Sequence, residues 1–105
     1  MAEVGGFASK RKLMEHFWDH GAACGAASEW EYVCKAVKFM HGPLDAGMHE
    51  CTRAKTRDRL RYSETTEEFG VVRQDGILRS YFIADPVDHQ WPSNLEYFWQ
   101  ECSKL

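Results

Sequence analysis

The sequence predicts an α+β fold in which two N-terminal helices pack on a four-stranded antiparallel sheet, followed by a short C-terminal helix. Two helical patterns come first, four short alternating segments follow, and a capped helical pattern ends the chain. Because the strands are consecutive and joined by short turns, we expect them to pair antiparallel, with the helices on one face of the sheet. The 105 residues, 44% of them hydrophobic, are expected to form a single domain over residues 1–105.

The helices are predicted from serine caps that precede apolar residues spaced three or four apart. The first helix is predicted over residues 10–20. Ser28 with Glu31, and Ser93 with Glu96, are capping boxes that open the second and the last helix. The predicted N-caps are Ser9, Ser28 and Ser93, and the predicted stops of the first two helices are Gly21 and the Gly42-Pro43 pair.

The strands are predicted from apolar and polar residues that alternate between turn signals. They cover residues 48–53, 59–62, 69–72 and 77–83, with turns at Thr56-Arg57-Asp58 and Asp75-Gly76 and an irregular loop from Pro86 to Pro92. Strict alternation in the fourth strand would place Arg79 and Tyr81 on one face, opposite Leu78, Ser80 and Phe82.

The four cysteines show no CxxC pairing and are expected to be small core residues in a reducing cytoplasm, with no disulfide required. The first residues lack the apolar stretch of a signal peptide, and no window is long and apolar enough to span a membrane. We therefore expect no membrane partner.

Positive charge is concentrated in one segment of a mildly acidic chain, which carries 13 Lys and Arg against 16 Asp and Glu. Every odd position of this stripe is basic: Arg53, Lys55, Arg57, Arg59 and Arg61. On an extended strand, or on two adjacent strands, these side chains would be neighbours and would suit the phosphates of a nucleic acid. The alternative is a charged edge strand that prevents aggregation.

Two histidines on the first helix, His16 and His20, are four residues apart and therefore share a helix face. Three interpretations compete. A metal site is disfavoured because the HExxH glutamate and a third spaced ligand are missing, so no metal or other cofactor is expected. A structural role near the helix C-terminus is open, and so is general acid–base catalysis, which imidazole suits near neutral pH.

Further phosphate-binding candidates are Arg79, Ser80 and Tyr81 in the fourth strand and Thr66 in the preceding loop. All four are also ordinary residues for a strand or a turn. P-loop, GxGxxG and GxSxG motifs are missing. Histidines, arginines and hydroxyls without a metal motif fit metal-independent RNA cleavage, in which the 2′-hydroxyl attacks and the enzyme supplies a base, an acid and cations.

The chain resembles a known family through three segments: HF-x2-HG-x3-GA-x4-EY from His16, RYS-x-TTEEFGVV-x2-DG-x-LRSYF from Arg61, and PSNLEYF from Pro92. These segments are similar to the C-terminal toxin domains of bacterial polymorphic toxins, ribonucleases of the barnase–EndoU–colicin–RelE group. The chain departs from that pattern at Cys24, where an aromatic residue is expected, at Arg57, where a turn glycine is usual, and at Ser80, which replaces a threonine.

The resemblance implies a single toxin domain that cleaves RNA, with tRNA as one candidate substrate, and a cognate immunity protein or antitoxin as partner. Such a domain acts in the bacterial cytoplasm, in some cases after delivery within a larger secreted effector. The expected catalytic residues are His16, His20, Arg61, Ser80 and Tyr81, and the expected RNA-binding residues are Arg53, Lys55, Arg57, Arg59, Thr66 and Arg79. The rival hypotheses are a non-catalytic nucleic-acid or protein-binding module that uses the stripe, and a structural domain whose cations pair with its own carboxylates.

Overall fold

A computed structural model describes residues 6–105 and confirms the α+β class. The first five residues of the predicted domain lie outside this range. The elements are α1 Lys10–His20, α2 Glu29–His41, β1 Met48–Thr52, β2 Arg59–Ser63, β3 Glu68–Val72, β4 Leu78–Ile83, α3 Pro86–His89 and α4 Asn94–Ser103. Within the described residues, no helix has the length and apolarity needed to cross a membrane.

The predicted serine caps are confirmed. The hydroxyl oxygens of Ser9, Ser28 and Ser93 each accept a backbone N–H three residues ahead, at 3.2, 3.2 and 3.1 Å. Each bond satisfies one of the backbone donors that a helix N-terminus leaves unpaired. These local bonds are why the three main helices begin at the predicted residues.

The sheet is an antiparallel meander in the order β1-β2-β3-β4. The predicted Asp75-Gly76 turn joins β3 to β4, and Gly76 has a φ of 91° that suits glycine. The β1–β2 turn lies at residues 54–56, slightly before its predicted position. Arg57 follows this turn with a left-handed φ of 64°, a conformation that glycine adopts without strain.

Helices cover both faces of the sheet, so the prediction of helices on one face is wrong. The first core lies between the sheet and helices α1 and α2, where Met40 lies so close to Gly70 that a β-carbon at Gly70 would collide with it. The second core lies between the opposite face and α4, with Phe98 fully buried at its centre. Since α4 carries its own apolar stripe, it needs a sheet face to cover, and only the opposite face is free.

Strand β4 contains a β-bulge, which overturns the predicted alternation of its side chains. Leu78 pairs with Val72 and Ser80 pairs with Val71, so Arg79 is an extra residue with no partner in β3. As a result Leu78 and Tyr81 both lie in the first core, although an odd number of positions separates them.

The loop predicted between the last two prolines is partly helical. Helix α3 forms one turn, with Pro86 at its first position and Asp85 as its cap. The Asp85 carboxylate accepts the Val87 N–H at 2.9 Å. Proline is favoured at a helix start, because its missing N–H would have no helical partner there.

Two of the cysteines form a disulfide, which corrects the expectation that all four are reduced core residues. Cys51 of β1 is bonded to Cys102 of α4. Cys24 is free and buried, and Cys34 is free and exposed. The spacing of the cysteines gave no sign of this pair, because the two residues are 51 positions apart and meet only through the packing of α4 on the sheet. The bond fastens the C-terminal helix to the first strand.

Replacing Cys51 with serine should lower the free energy of unfolding by about 2–4 kcal/mol, because the disulfide joins residues 51 positions apart and restricts the unfolded chain. Chemical denaturation in oxidising buffer measures the loss. Cys34→Ser is the matched control and should change stability by less than about 0.5 kcal/mol. Reduction with dithiothreitol should lower the free energy of unfolding of the wild type to that of Cys51→Ser. Equal stability of the two proteins before reduction would show that the disulfide does not stabilise the fold.

Candidate active site

The two histidines of α1 lie side by side at the edge of the sheet formed by β4. Their ring centroids are 6.0 Å apart, and both side chains are half-buried. His16 lies against Phe7 at 5.2 Å, and His20 lies against Phe82 at 5.5 Å. Each imidazole is therefore held in place by a neighbouring ring while part of it stays open to solvent.

His16 lines a cleft of about 400 Å³ between α1 and β4, which we call the cationic cleft. Its polar lining residues are Lys12, His16, Arg73, Arg79 and Ser80. No carboxylate is among its lining residues in the described part of the chain. A cleft with three cations, a hydroxyl and an imidazole is suited to an anionic ligand, because guanidinium and ammonium groups donate to phosphate oxygens.

Carboxylates behind the cleft position its two arginines. The Arg79 Nε lies 2.9 Å from Asp58 Oδ2, and the Arg73 Nη2 donates to Asp75 Oδ2 at 2.7 Å. Asp58 is buried, whereas the Arg79 side chain is 48% exposed. The ion pair uses the Nε of Arg79, and within residues 6–105 its two outer nitrogens have no hydrogen-bond partner.

Burial lowers the pKa of His16 below its ordinary value of 6.5, and the positive charges of His20 and Lys12 lower it further. The two nearby carboxylates, Asp19 and Glu15, act in the opposite direction but do not outweigh these causes. His16 is therefore neutral near pH 7. A neutral imidazole can accept a proton, which is what a general base must do.

His20 lines a second and larger cleft of about 740 Å³, which we call the aromatic cleft. Ser80 lines both clefts and forms the wall between them. Of the five predicted catalytic residues, His16, His20 and Ser80 are thus brought to one edge of the sheet, whereas Arg61 and Tyr81 are not among the residues of the two clefts. The β-bulge contributes to this site, because Arg79, the residue before Ser80, has no pairing partner in β3.

Arg61 and Arg59 lie elsewhere and are held by internal partners. Arg61 is only 8% exposed, and it donates to the backbone oxygens of Phe39 and Gly42 at the end of α2. Both guanidiniums donate to one carboxylate oxygen of Glu50, at 2.6 Å from Arg61 and 2.9 Å from Arg59. Neither arginine lines the clefts of the two histidines.

Burial would raise the pKa of Glu50, but the hydrogen bonds from Arg61 and Arg59 outweigh it and hold this pKa below its ordinary value. The carboxylate therefore stays ionised in the folded protein at neutral pH. Positive side chains beneath the end of α2 also meet the backbone oxygens that the helix leaves unpaired. For these two arginines, the internal pairing expected of a structural domain is what the structure shows.

The rest of the basic stripe is divided between a helix contact and a turn. Arg53 donates to the backbone oxygen of Glu101 in α4, on the sheet face opposite the one that Arg61 occupies. Its side chain is 15% exposed and also pairs with Asp58. Lys55 and Arg57 are exposed at the β1–β2 turn. Only these two members of the stripe face solvent freely, so the five cations do not form one surface.

Tyr81 and Thr66 also lie apart from the histidines. Tyr81 is buried in the first core, where its phenol donates to a carboxylate oxygen of Glu68. Burial and this hydrogen bond raise the pKa of Tyr81, so its hydroxyl stays protonated. Thr66 is exposed on a third cleft of about 520 Å³, which also contains Lys35 and Lys38. These two residues are thus separated from the site at the β4 edge.

Two cations of the cleft, Lys12 and Arg73, were not among the predicted site residues. Lys12 precedes His16 by four positions, so helical spacing alone would have placed them on one face. Arg73 directly follows β3 and faces the cleft across the hairpin. Its position depends on how α1 lies along β4, which local sequence patterns do not specify.

Within residues 6–105, no group of three or more His, Cys, Asp or Glu side chains is placed to hold a metal ion. Comparison with protein-family models finds no match to the chain, and comparison with curated proteins finds none either.

Glu50→Gln should lower the free energy of unfolding by roughly 2–4 kcal/mol at pH 7, because two arginines lose their shared carboxylate. Since the folded state holds the pKa of Glu50 down, its contribution is complete above the ordinary glutamate pKa and is lost as the pH falls through the lowered value. Chemical denaturation from pH 7 to pH 3 measures the effect. The free energies of unfolding of the wild type and Glu50→Gln should become equal toward pH 3.

The matched control is Glu15→Gln, because Glu15 pairs with Arg11 on the exposed side of α1. Its effect should stay below about 1 kcal/mol at every pH. A Glu50→Gln protein as stable as the wild type at pH 7 would contradict a structural role for Arg61 and Arg59.

Proposed function

We propose that this protein is a metal-independent ribonuclease of the bacterial toxin type, with its active site where the cationic cleft meets the aromatic cleft. The observation that carries the proposal is the pair of half-buried imidazoles, 6.0 Å apart, on either side of the Ser80 wall and next to three cations. Acid–base cleavage of RNA requires these groups and no others, because the substrate supplies the nucleophile.

In the first half of the reaction, the scissile phosphate binds in the cationic cleft and the neighbouring 2′-hydroxyl attacks the phosphorus. Neutral His16 accepts the hydroxyl proton as the O2′–P bond forms. The negative charge that gathers on the phosphoryl oxygens is stabilised by Lys12, Arg73 and Arg79. The lowered pKa of His16 keeps it in the form that this step needs.

In the second half, protonated His20 donates a proton to the departing 5′-oxygen as the P–O5′ bond breaks. The products are a 2′,3′-cyclic phosphate and a 5′-hydroxyl end. Attacking and leaving oxygens lie in line on opposite sides of the phosphorus. A base and an acid that each reach one of them at roughly 3 Å must stand several ångströms apart, and the spacing of the two imidazoles meets this requirement.

Ser80 is suited to position the phosphate between the two histidines, because it lines both clefts. Its hydroxyl can donate to one phosphoryl oxygen without changing charge. The substitution of serine for the threonine typical of the resembling toxins preserves this hydroxyl. The proposed partners are RNA, with tRNA as one candidate, and a cognate immunity protein or antitoxin that protects the producing cell.

His16→Ala and His20→Ala should each lower the rate of RNA cleavage by about 10²–10⁴-fold, while RNA affinity and folding stay nearly unchanged. Purified proteins are incubated with total tRNA in EDTA, and the fragment ends are mapped. His41→Ala is the matched control, since His41 is exposed on α2 away from both clefts.

The pH dependence of the cleavage rate gives a second measurement, because a histidine with only a structural role would not set the acid limb of the profile. Activity should fall on the acid side as His16 becomes protonated, with a midpoint below 6.5. Lys12→Gln removes a positive charge and should shift that midpoint upward. A wild type that binds RNA but leaves it intact at every pH would favour the binding-module hypothesis, and loss of cleavage on chelation alone would favour a metal site.

RNA binding should weaken with salt, by roughly 0.7 log units of affinity per log unit of salt for each phosphate contact. Lys12→Gln and Arg79→Gln should each reduce this slope, because both cations line the cationic cleft. The comparison is the double variant Lys55→Gln/Arg57→Gln, which removes the two exposed cations of the stripe. A slope that changes only in the double variant would move the RNA contact to the β1–β2 turn.

A further inference from the structure

The aromatic cleft has the size and the position of a site for one base of the substrate. Its volume of about 740 Å³ falls within the range of small-ligand pockets. It adjoins the cationic cleft at Ser80 and contains His20. A nucleotide whose phosphate occupies the cationic cleft would therefore bring a neighbouring base to the aromatic cleft.

Three Phe, Tyr or Trp side chains line this cleft, and Trp91 is the one that is not paired with another ring among residues 6–105. The Phe82 ring is stacked on Phe69 at 5.0 Å, and the Tyr97 ring is stacked on His89 at 4.1 Å. Trp91 is 38% exposed and packs against no other ring in the described part of the chain. Part of its indole is therefore open to solvent in the cleft. Tryptophan offers a large flat surface on which a base can stack.

The wall that carries Trp91 is held by a defined hydrogen-bond chain. The Trp91 backbone N–H donates to His89 Nδ1 at 3.1 Å, so this nitrogen is an acceptor. The proton of the neutral ring is then on Nε2, which donates to Asn94 Oδ1 at 2.7 Å. Both ring nitrogens of His89 are therefore used in hydrogen bonds within the protein, and these bonds connect the residue to Trp91 and to the start of α4.

Two carboxylates on this cleft, Asp19 and Asp88, have no hydrogen-bond partner among the described residues. An ionised carboxylate only accepts hydrogen bonds and repels phosphate. The two clefts thus differ in charge. Among the residues that the structure describes, the cationic cleft is lined by three cations and no carboxylate, whereas the aromatic cleft is lined by four carboxylates and one cation, Lys104. The amino groups of adenine, cytosine and guanine can donate to such acceptors, whereas the uracil edge presents two carbonyl oxygens around its single N–H.

We propose that the aromatic cleft is a base-binding subsite, in which the base stacks on Trp91 and its amino group donates to Asp19 or Asp88. The subsite selects an amino-bearing base next to the cleaved bond and discriminates against uracil. This inference rests on the proposed ribonuclease function for its effect on cleavage, but base binding can be measured without any cleavage.

The cleavage experiment uses the sixteen ribodinucleotides with the full chain in EDTA. At one of the two positions, uracil should lower kcat/KM by at least tenfold relative to the amino-bearing bases. Trp91→Ala should lower kcat/KM about 5- to 100-fold for every base, the range that loss of one stacking contact produces. Trp91→Phe keeps a ring and should retain most of the activity, and Trp30→Ala, at an exposed tryptophan outside the cleft, should have no effect.

Asp19→Asn/Asp88→Asn supplies amide donors in place of the carboxylates, and it should reduce the discrimination against uracil. Cleavage of all sixteen dinucleotides within twofold of one another, or equal activity of Trp91→Ala and Trp30→Ala, would overturn the subsite.

Binding provides the separate test. Adenosine 3′-monophosphate should shift the indole N–H resonance that is lost in Trp91→Phe, and uridine 3′-monophosphate should bind at least tenfold more weakly. If this selective shift is seen and no RNA is cut, the ribonuclease proposal fails while the subsite stands. If the two nucleotides leave that resonance unchanged, the subsite is overturned whether or not RNA is cleaved.

Discussion

The extra residue in β4 is the constraint on which the candidate site depends. Without the bulge at Arg79, strict alternation would place Leu78 on the face opposite Tyr81 and remove one of them from the first core. With it, both apolar anchors stay beneath α1 and α2, and Arg79 leaves the ladder beside Ser80. The six-residue strand β4 therefore supplies both core residues, Leu78 and Tyr81, and residues of the candidate site, Arg79 and Ser80.

The basic residues of the chain fall into two groups: arginines with partners inside the protein, and cations that line the cationic cleft. Arg61 and Arg59 donate to Glu50 and to backbone oxygens at the end of α2. Arg53 donates to a backbone oxygen of α4. The Arg61 guanidinium is buried and already donates to a half-buried carboxylate and two backbone oxygens, so it is not free to bind a phosphate. The basic stripe is conspicuous in the sequence because five cations are close along the chain. The cations that line the cleft of His16 come instead from α1, the β3–β4 turn and β4. Proximity in sequence was a poor guide to proximity in space.

Local signals in the sequence were sufficient for most of the fold. Serine caps, glycine stops and the Asp75-Gly76 turn are decided within a few residues, and these predictions are confirmed. The bulge, the second helix-covered face and the disulfide depend on contacts between distant segments, and single-sequence patterns do not contain them. For the site, helical spacing predicted the pairing of His16 with His20, and it would have added Lys12. The approach of α1 to β4, which brings Arg73 and Ser80 to them, is a tertiary contact that no local spacing indicates.

The central claim is that the substrate's own 2′-hydroxyl is the nucleophile, activated by His16 and followed by proton donation from His20. The most direct measurement compares an RNA oligonucleotide with its fully 2′-O-methylated counterpart, incubated with the wild-type protein in EDTA. The account predicts cleavage of the RNA to fragments with 2′,3′-cyclic phosphate and 5′-hydroxyl ends, and no cleavage of the methylated strand. Cleavage of the methylated strand, or RNA fragments that carry 5′-phosphate ends, would contradict it.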